Sequence, residues 1–484
     1  MIAAQIAANR FGLGAVVRVK NGADVKNDLK RQLRDFDPRP DVLAALPNTE
    51  DVSRLTGEYL DGLRAQGVIG DMPVNDSAIT PQEKRKRAAE LQKHIRKFFG
   101  KSAREFYLKA VNARLETAVE SKTDFAERLV HFWANHFAIS VDKPLISGFA
   151  GLHEFEAIRP HVMGKFADLL RSAVLHPGML LYLDQVQSIG AQSRLALAVN
   201  RPRRKRKLGL NENLAREILE LHTLGVNGGY NQSDVTAFAN ALTGWTVSGL
   251  SRGAVARALN IDNSYGQPVF VNALHQPGPA RVMGKAYAAK SRQQSIDILD
   301  DLARHPATAN HIAQKLAQHF YGDNPPDTLV KRLRDDFANN DGDLQSLYAV
   351  LIDSPELWQA PASKFKTPWE WTISIMRAFP DNQLTGRLPA NLLRSMNHIP
   401  WRPGSPAGYG DKDADWISPD ALYKRVQYAN LLAVRLKGTD DIQDIAEKLF
   451  PATLSNTTRV EIARAASPRQ ALALLLVSPE FLRR

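Results

Sequence analysis

Residues 211–245, NENLAREILELHTLGVNGGYNQSDVTAFANALTGW, leave little choice of local structure. Asn211 is placed as an N-cap, with Glu212 in the first turn, where negative charge meets the positive end of the helix dipole. Leu214, Ile218 and Leu221 recur at helical spacing and Gly225 follows as a C-cap glycine. The spacing therefore predicts a helix over 211–224, with His222 in its last turn. Asn213, Glu217 and Glu220 share its polar face at i, i+4 and i+7. Gly225, Gly228 and Gly229 form a joint, Asn231 with Asp234 reads as a variant capping box, and Val235, Phe238, Ala239 and Leu242 give a second helix its buried stripe. An antiparallel helical hairpin follows, able to bring Glu217, Glu220, His222 and Asp234 to one cleft.

Two readings of that cluster compete. Arg216 lies four residues before Glu220, which suits a surface ion pair, and a last-turn histidine is an ordinary dipole partner. The functional reading makes Glu217, Glu220, His222 and Asp234 ligands of a divalent metal or general acid/base groups. Zinc-protease, EF-hand and phosphate-loop motifs do not match.

NENLAREILELHTLG followed by GGYNQSDV and ALTGW closely resembles the signature of the bacterial "domain of unknown function 1800" family. NRFGLGA at 9–15, FWANHF at 132–137, HPGMLLYLDQVQS at 176–188, HPATANHIAQKLAQHF at 305–320 and the terminal SPEFLRR agree with it, so the resemblance spans nearly the whole chain. The family carries no established activity to transfer. The resemblance implies a partner similar to sulfatases and alkaline phosphatases. It also implies export for many relatives, whereas MIAAQIAANRFGLGA lacks a basic n-region and a sustained apolar h-region. A cytoplasmic chain is expected as written, and a periplasmic or envelope-associated one if the true start lies upstream.

The chain lacks cysteine, which excludes disulfides, thiolate metal sites and cysteine nucleophiles. No run reaches the length of a membrane span. With 44% hydrophobic and 24% charged residues, the 484-residue chain has ordinary globular composition and should fold. A net charge of +12 favours anionic partners, nucleic acid and other polyanions among them.

Along the chain the pattern predicts an all-α protein, 1–484, with one large multi-helix core, a small β-hairpin and a mobile basic insertion. Within it we expect a helical subregion at 1–120, the central motif region at 121–245 and a helical C-terminal subregion at 246–484. Basic residues crowd the helical pattern from 81 to 121, and the insertion at 189–210 holds the run Arg201–Lys207. The aromatic helix from Thr123 carries Asn135 and His136, and Asp184 ends the YLDQ segment's approach to the insertion. The β-hairpin is expected near 267–287, turning at 276–279, with His275 on its first arm. A proline- and glycine-rich loop at 400–425 presents Trp401, Tyr409 and Trp416, either to a ligand or as a cap on the core. Asp411, Asp413 and Asp415 resemble the start of a calcium loop, but Trp416 and Leu422 stand where its glycine and glutamate belong.

Three functions remain open on this reading. The first is an accessory or binding protein working with the sulfatase/phosphatase-like partner through a cleft at 211–245, helped by Asn135, His136, Asp184, Asn213, Trp245, His275, Trp401 and Trp416. The second is a metal-assisted hydrolase, and the third a polyanion or nucleic-acid binder resting on the basic run.

Overall fold

The computed structural model describes residues 2–14, 24–65, 104–199, 209–250, 265–359, 362–380, 386–436 and 441–484, with scattered positions between 80 and 94 and Leu384. The basic run at 201–207 and most of the basic stretch before 104 lie outside the described residues.

Helices dominate. The principal ones are α1 (Val25–Arg34), α2 (Thr49–Ala65), α3 (Arg104–Glu120), α4 (Asp124–His136), α5 (Phe166–Leu175) and α6 (Asn213–Glu217). After them come α7 (Gln232–Leu242), α8 (Arg292–Arg304), α9 (Pro306–Tyr321), α10 (Asp327–Asn339), α11 (Leu344–Asp353), α12 (Pro368–Ala378) and α13 (Pro419–Arg435). Many are entered through a Pro at the first turn, where a missing N–H does no harm. His176 and His305 cap two such starts: each Nδ1 accepts a backbone N–H, from Gly178 at 3.0 Å and from Ala307 at 3.1 Å.

Strand among the described residues is confined to two antiparallel pairs, β1 (Trp245–Val247) with β2 (Pro268–Phe270) and β3 (Ala280–Val282) with β4 (Lys285–Tyr287). The protein is all-α in class. The hairpin expected to turn at 276–279 is instead split. Pro277 and Pro279 have no N–H for a ladder there, and the 268–270 arm pairs back onto β1. The hairpin that forms turns at Met283-Gly284, whose φ values of 50° and 78° suit the tight turns that join twisted strands.

One hydrophobic cluster runs through the described residues from Ala7 to Leu482. Its centre is aromatic: Phe125 meets Phe11 and Phe320 edge-on, and Trp133 packs on Phe137 and Phe166. The Trp133 indole donates to Tyr348 Oη at 2.6 Å, which donates to the Val162 carbonyl at 2.9 Å, so the polar ends of both rings are satisfied. Charged cross-braces run through the same interior. Arg159 Nη1 meets both Glu127 oxygens at 2.7 and 2.8 Å, and Arg377 meets Asp124 at 2.7 Å.

The helices around the 211–245 motif pack pairwise. α6 lies on α7, α7 on α8 and β3, and α8 on α5 and α9. Among the described residues three segments are π-helical: Ala7–Phe11, His153–Ile158 and Ile218–His222, the last continuing α6. Such widened turns are uncommon and gather at functional sites.

Candidate functional site

α6 and its π turn begin close to the predicted position. Asn211 Oδ1 accepts the Asn213 N–H at 2.9 Å, and the helical segment ends at His222, ahead of Gly225 at φ 84°. The predicted 211–224 helix is thus shorter, and its second half is π rather than α. That difference matters for what faces inward. A five-residue turn rotates the buried stripe by about one position relative to an α turn. Leu221, expected in the core, is only half-buried, whereas His222 is fully buried.

Buried π-turn carbonyls need donors, and three side chains supply them. His136 Nε2–H donates to the His222 carbonyl at 3.1 Å, His311 Nε2–H to the Leu221 carbonyl at 3.1 Å, and Thr223 Oγ1 to the Ile218 carbonyl at 2.7 Å. These bonds fix the Nε2–H tautomer of both histidines. The His136 ring lies 6.0 Å from that of His222 and 6.1 Å from that of His311. Burial holds His136 well below the ordinary histidine range, followed by the Lys315 charge, and takes His222 down to about 3 and His311 to about 4. All three are neutral at physiological pH. His136 Nδ1 and both His222 nitrogens have no hydrogen-bond partner among the described residues.

The other face of α6 is acidic and accessible. Glu217 is half-buried; burial first and Glu220 second raise its pKa above the usual carboxylate range. Glu220 pairs with Arg216 at 3.5 Å, and Arg216 also reaches Glu212 at 3.3 Å. Two phenols stand near: Tyr182 is pushed up to about 12 by burial, Asp142 and Glu217, and Tyr230, bonded to Glu220, also to about 12, with burial the largest cause. Alongside lies Asp184, in the left-handed region at φ 57°, its carboxylate held by Lys143 Nζ at 2.8 Å and Gln187 Nε2 at 3.2 Å. A non-glycine residue in that region is sparsely populated and marks a place where surrounding contacts dictate the backbone.

The loop at 400–416 closes against the same corner. Asn135 uses its whole amide on the Tyr409 backbone, accepting at 2.7 Å and donating at 2.9 Å. Gly408, at φ 82°, can have no side chain, because a Cβ there would sit 2.3 Å from the Asn135 carbonyl. Trp401 and Trp416 are buried, their indoles donating to Glu154 at 2.8 Å and to the Gly410 carbonyl at 2.9 Å. They cap the core instead of offering a stacking platform. Asp411 and Asp413 are likewise engaged, the first with His319 at 3.4 Å and Lys364 at 3.6 Å, the second with the Phe365 N–H at 2.9 Å.

The expected cluster of four does not converge. Asp234 completes the predicted capping box, its Oδ2 accepting from Asn231 N at 3.0 Å, while its Oδ1 accepts from Met283 N at 2.8 Å. His222 faces Phe137 and His136 in the core, away from the solvent-facing carboxylates. Among the described residues no three His, Asp or Glu side chains are grouped so as to hold a metal ion. Trp245 donates to Ser295 Oγ at 2.9 Å, and His275, buried rather than turned to solvent, bonds the Thr243 carbonyl at 2.8 Å. Asn213 remains exposed beside Glu217 on α6. What the structure does bring together is Glu217 with Glu220, and His136 beneath their π turn; Asp184 is linked to them through Lys143, which also donates to the Tyr182 carbonyl. Tyr182, Tyr230, Lys143 and His311 join them; all but Lys143 lie in segments that carry the family resemblance, though residue spacing did not single them out.

No helix among the described residues is long and apolar enough to cross a membrane. Comparison with curated proteins and with solved structures finds no match in either. A family model described as "Protein of unknown function (DUF1800)" matches residues 6–483. That match takes in every element just described, from the first π turn to the last helix, and the chain belongs to the DUF1800 family.

Proposed function

We propose that this protein is an accessory or binding protein, which docks a basic surface of its partner on the acidic face of α6. The reading is carried by Glu217: a half-buried carboxylate, desolvated enough to raise its pKa, with Glu220 as its neighbour. A carboxylate in that state is stabilised by an incoming cation more than an exposed one is, because the desolvation is already incurred. The neutral phenols of Tyr182 and Tyr230 add donors around it. The π turn, fixed from beneath by His136 and His311, holds the face rigid, so little ordering is needed on binding. For the partner we take the sulfatase/alkaline-phosphatase-like protein that the family resemblance implies. Affinity capture from the native organism tests this. Wild type should recover that protein and Glu217→Gln/Glu220→Gln should not. Failure to recover it, or equal recovery by both, would overturn the proposal.

A further inference from the structure

The interior on the far side of α4 holds more side-chain positive charge than its side-chain carboxylates balance. Arg128, Lys366, Arg425 and Arg484 are each at most 3% exposed, and the side-chain carboxylate among them is Glu370. Glu370 is shared already: Arg128 bonds it through Nη1 and Arg484 Nε lies 2.8 Å away. Nearby Asp124 is taken by Arg377, and Asp411 by Lys364 and His319. Residues 15–23, which follow Gly14 beside Lys366, contain no acidic side chain.

Three of these cations present nitrogen atoms with no acceptor among the described residues: Arg128 Nη2, Lys366 Nζ and Arg425 Nη1. Arg425 is otherwise held by the Lys366 carbonyl and by the ring faces of Phe365 and Trp371, 4.5 and 5.6 Å from its guanidinium carbon. Lys366 Nζ sits over the Phe481 ring at 5.1 Å. It also stands just before the N-cap Thr367 of α12, where the helix dipole repels a cation. Burial, then the charges of Arg128, Arg484 and Arg425, lower Lys366 to about 7 despite Glu370. Native interiors seldom leave buried charged donors unpaired, and a bound ion is one of the standard resolutions.

We propose that Lys366, Arg425 and Arg128 form a buried site for one small inorganic anion, which completes the charge balance around Glu370. Chloride and a tetrahedral oxyanion share the required chemistry: negative charge and acceptor capacity for several N–H groups at once. The site is independent of the α6 face and would persist whatever docks there.

Ion chromatography of denatured protein, dialysed beforehand into an ammonium bicarbonate buffer, tests this directly. Wild type and Lys331→Met, which removes a surface lysine paired with Asp335, should each release one equivalent of chloride, phosphate or sulfate, and Lys366→Met none. The ion found identifies the source. For an anion lost in dialysis, thermal midpoints at fixed ionic strength should rise saturably with one of the three anions in wild type and not in Lys366→Met. Since oxyanions stabilise proteins generally, only the difference between the two proteins counts. Should Lys366→Met fail to fold, Arg425→Gln takes its place. Wild type that neither releases an anion nor shows a saturable rise overturns the site, and so does a variant that behaves as wild type does.

Discussion

His222 and His136 lie in one cluster, yet replacing each by Phe should move stability in opposite directions. His136 donates to a buried carbonyl of the π turn; His222 is fully buried with neither ring nitrogen paired. An orphaned buried polar group costs about 1–3 kcal/mol. His222→Phe removes that penalty against an overpacking cost of about 1 kcal/mol, for a net gain of roughly 0–2 kcal/mol near neutral pH. His136→Phe strands the His222 carbonyl and should lose about 1–3 kcal/mol. The contrast sharpens in acid. With a folded pKa depressed to about 3, His222 binds its proton far more readily when unfolded. Its contribution is thus present above the unfolded pKa of about 6.5 and is lost as pH falls toward the folded value. At about 1.4 kcal/mol per pH unit, the advantage of His222→Phe over wild type should grow by about 2 kcal/mol between about pH 7 and pH 5. Urea unfolding at both pH values, with unchanged m, measures this. A His222→Phe variant less stable than wild type, or one whose advantage ignores pH, would refute the unpaired, neutral ring.

Other substitutions probe the frame of the site. Glu127→Gln leaves Arg159 buried without its counter-charge and should cost about 3–5 kcal/mol in urea unfolding; a loss under about 1 kcal/mol would contradict the buried pair. Gly225→Ala forces a Cβ to within 3.0 Å of His311 Nδ1 at φ 84°, which should cost about 1–2 kcal/mol, and a neutral result would show that the joint relaxes freely. Asp234→Ala removes a cap and the acceptor of the Met283 N–H, a loss of roughly 1–2 kcal/mol read the same way.

Local rules made some of this legible from sequence. The Asn231/Asp234 capping box needs only residues three apart, and it forms as expected. The Arg216–Glu220 pair, four apart on one helix, is likewise a local matter. What pattern could not give is the π turn. An apolar period of 3.6 places Leu221 inward and His222 at a helix end, but one inserted residue exchanges them. The donors that make the insertion tolerable, His136 and His311, come from helices far apart in the chain. The loop tryptophans fit two readings in sequence, because an exposed platform and a buried cap look alike until Glu154 and Gly410 take their indole protons. Asp234 fits both a cap and a ligand by its position in sequence; both its oxygens accept backbone N–H groups.

The reading that Glu217 is a docking carboxylate is met most directly by titrating the captured partner against wild type and Glu217→Gln. Because the folded pKa of Glu217 is raised, Glu217→Gln should leave stability unchanged or slightly higher; the charge disfavours the fold more as pH rises, so removing it relieves a penalty. Affinity should behave the other way. Loss of a half-buried charge partner costs about 2–5 kcal/mol, so the dissociation constant should rise at least tenfold, and wild-type binding should weaken as pH falls and Glu217 takes up its proton. Equal affinity for both proteins, with no pH dependence in the wild type, would contradict the account.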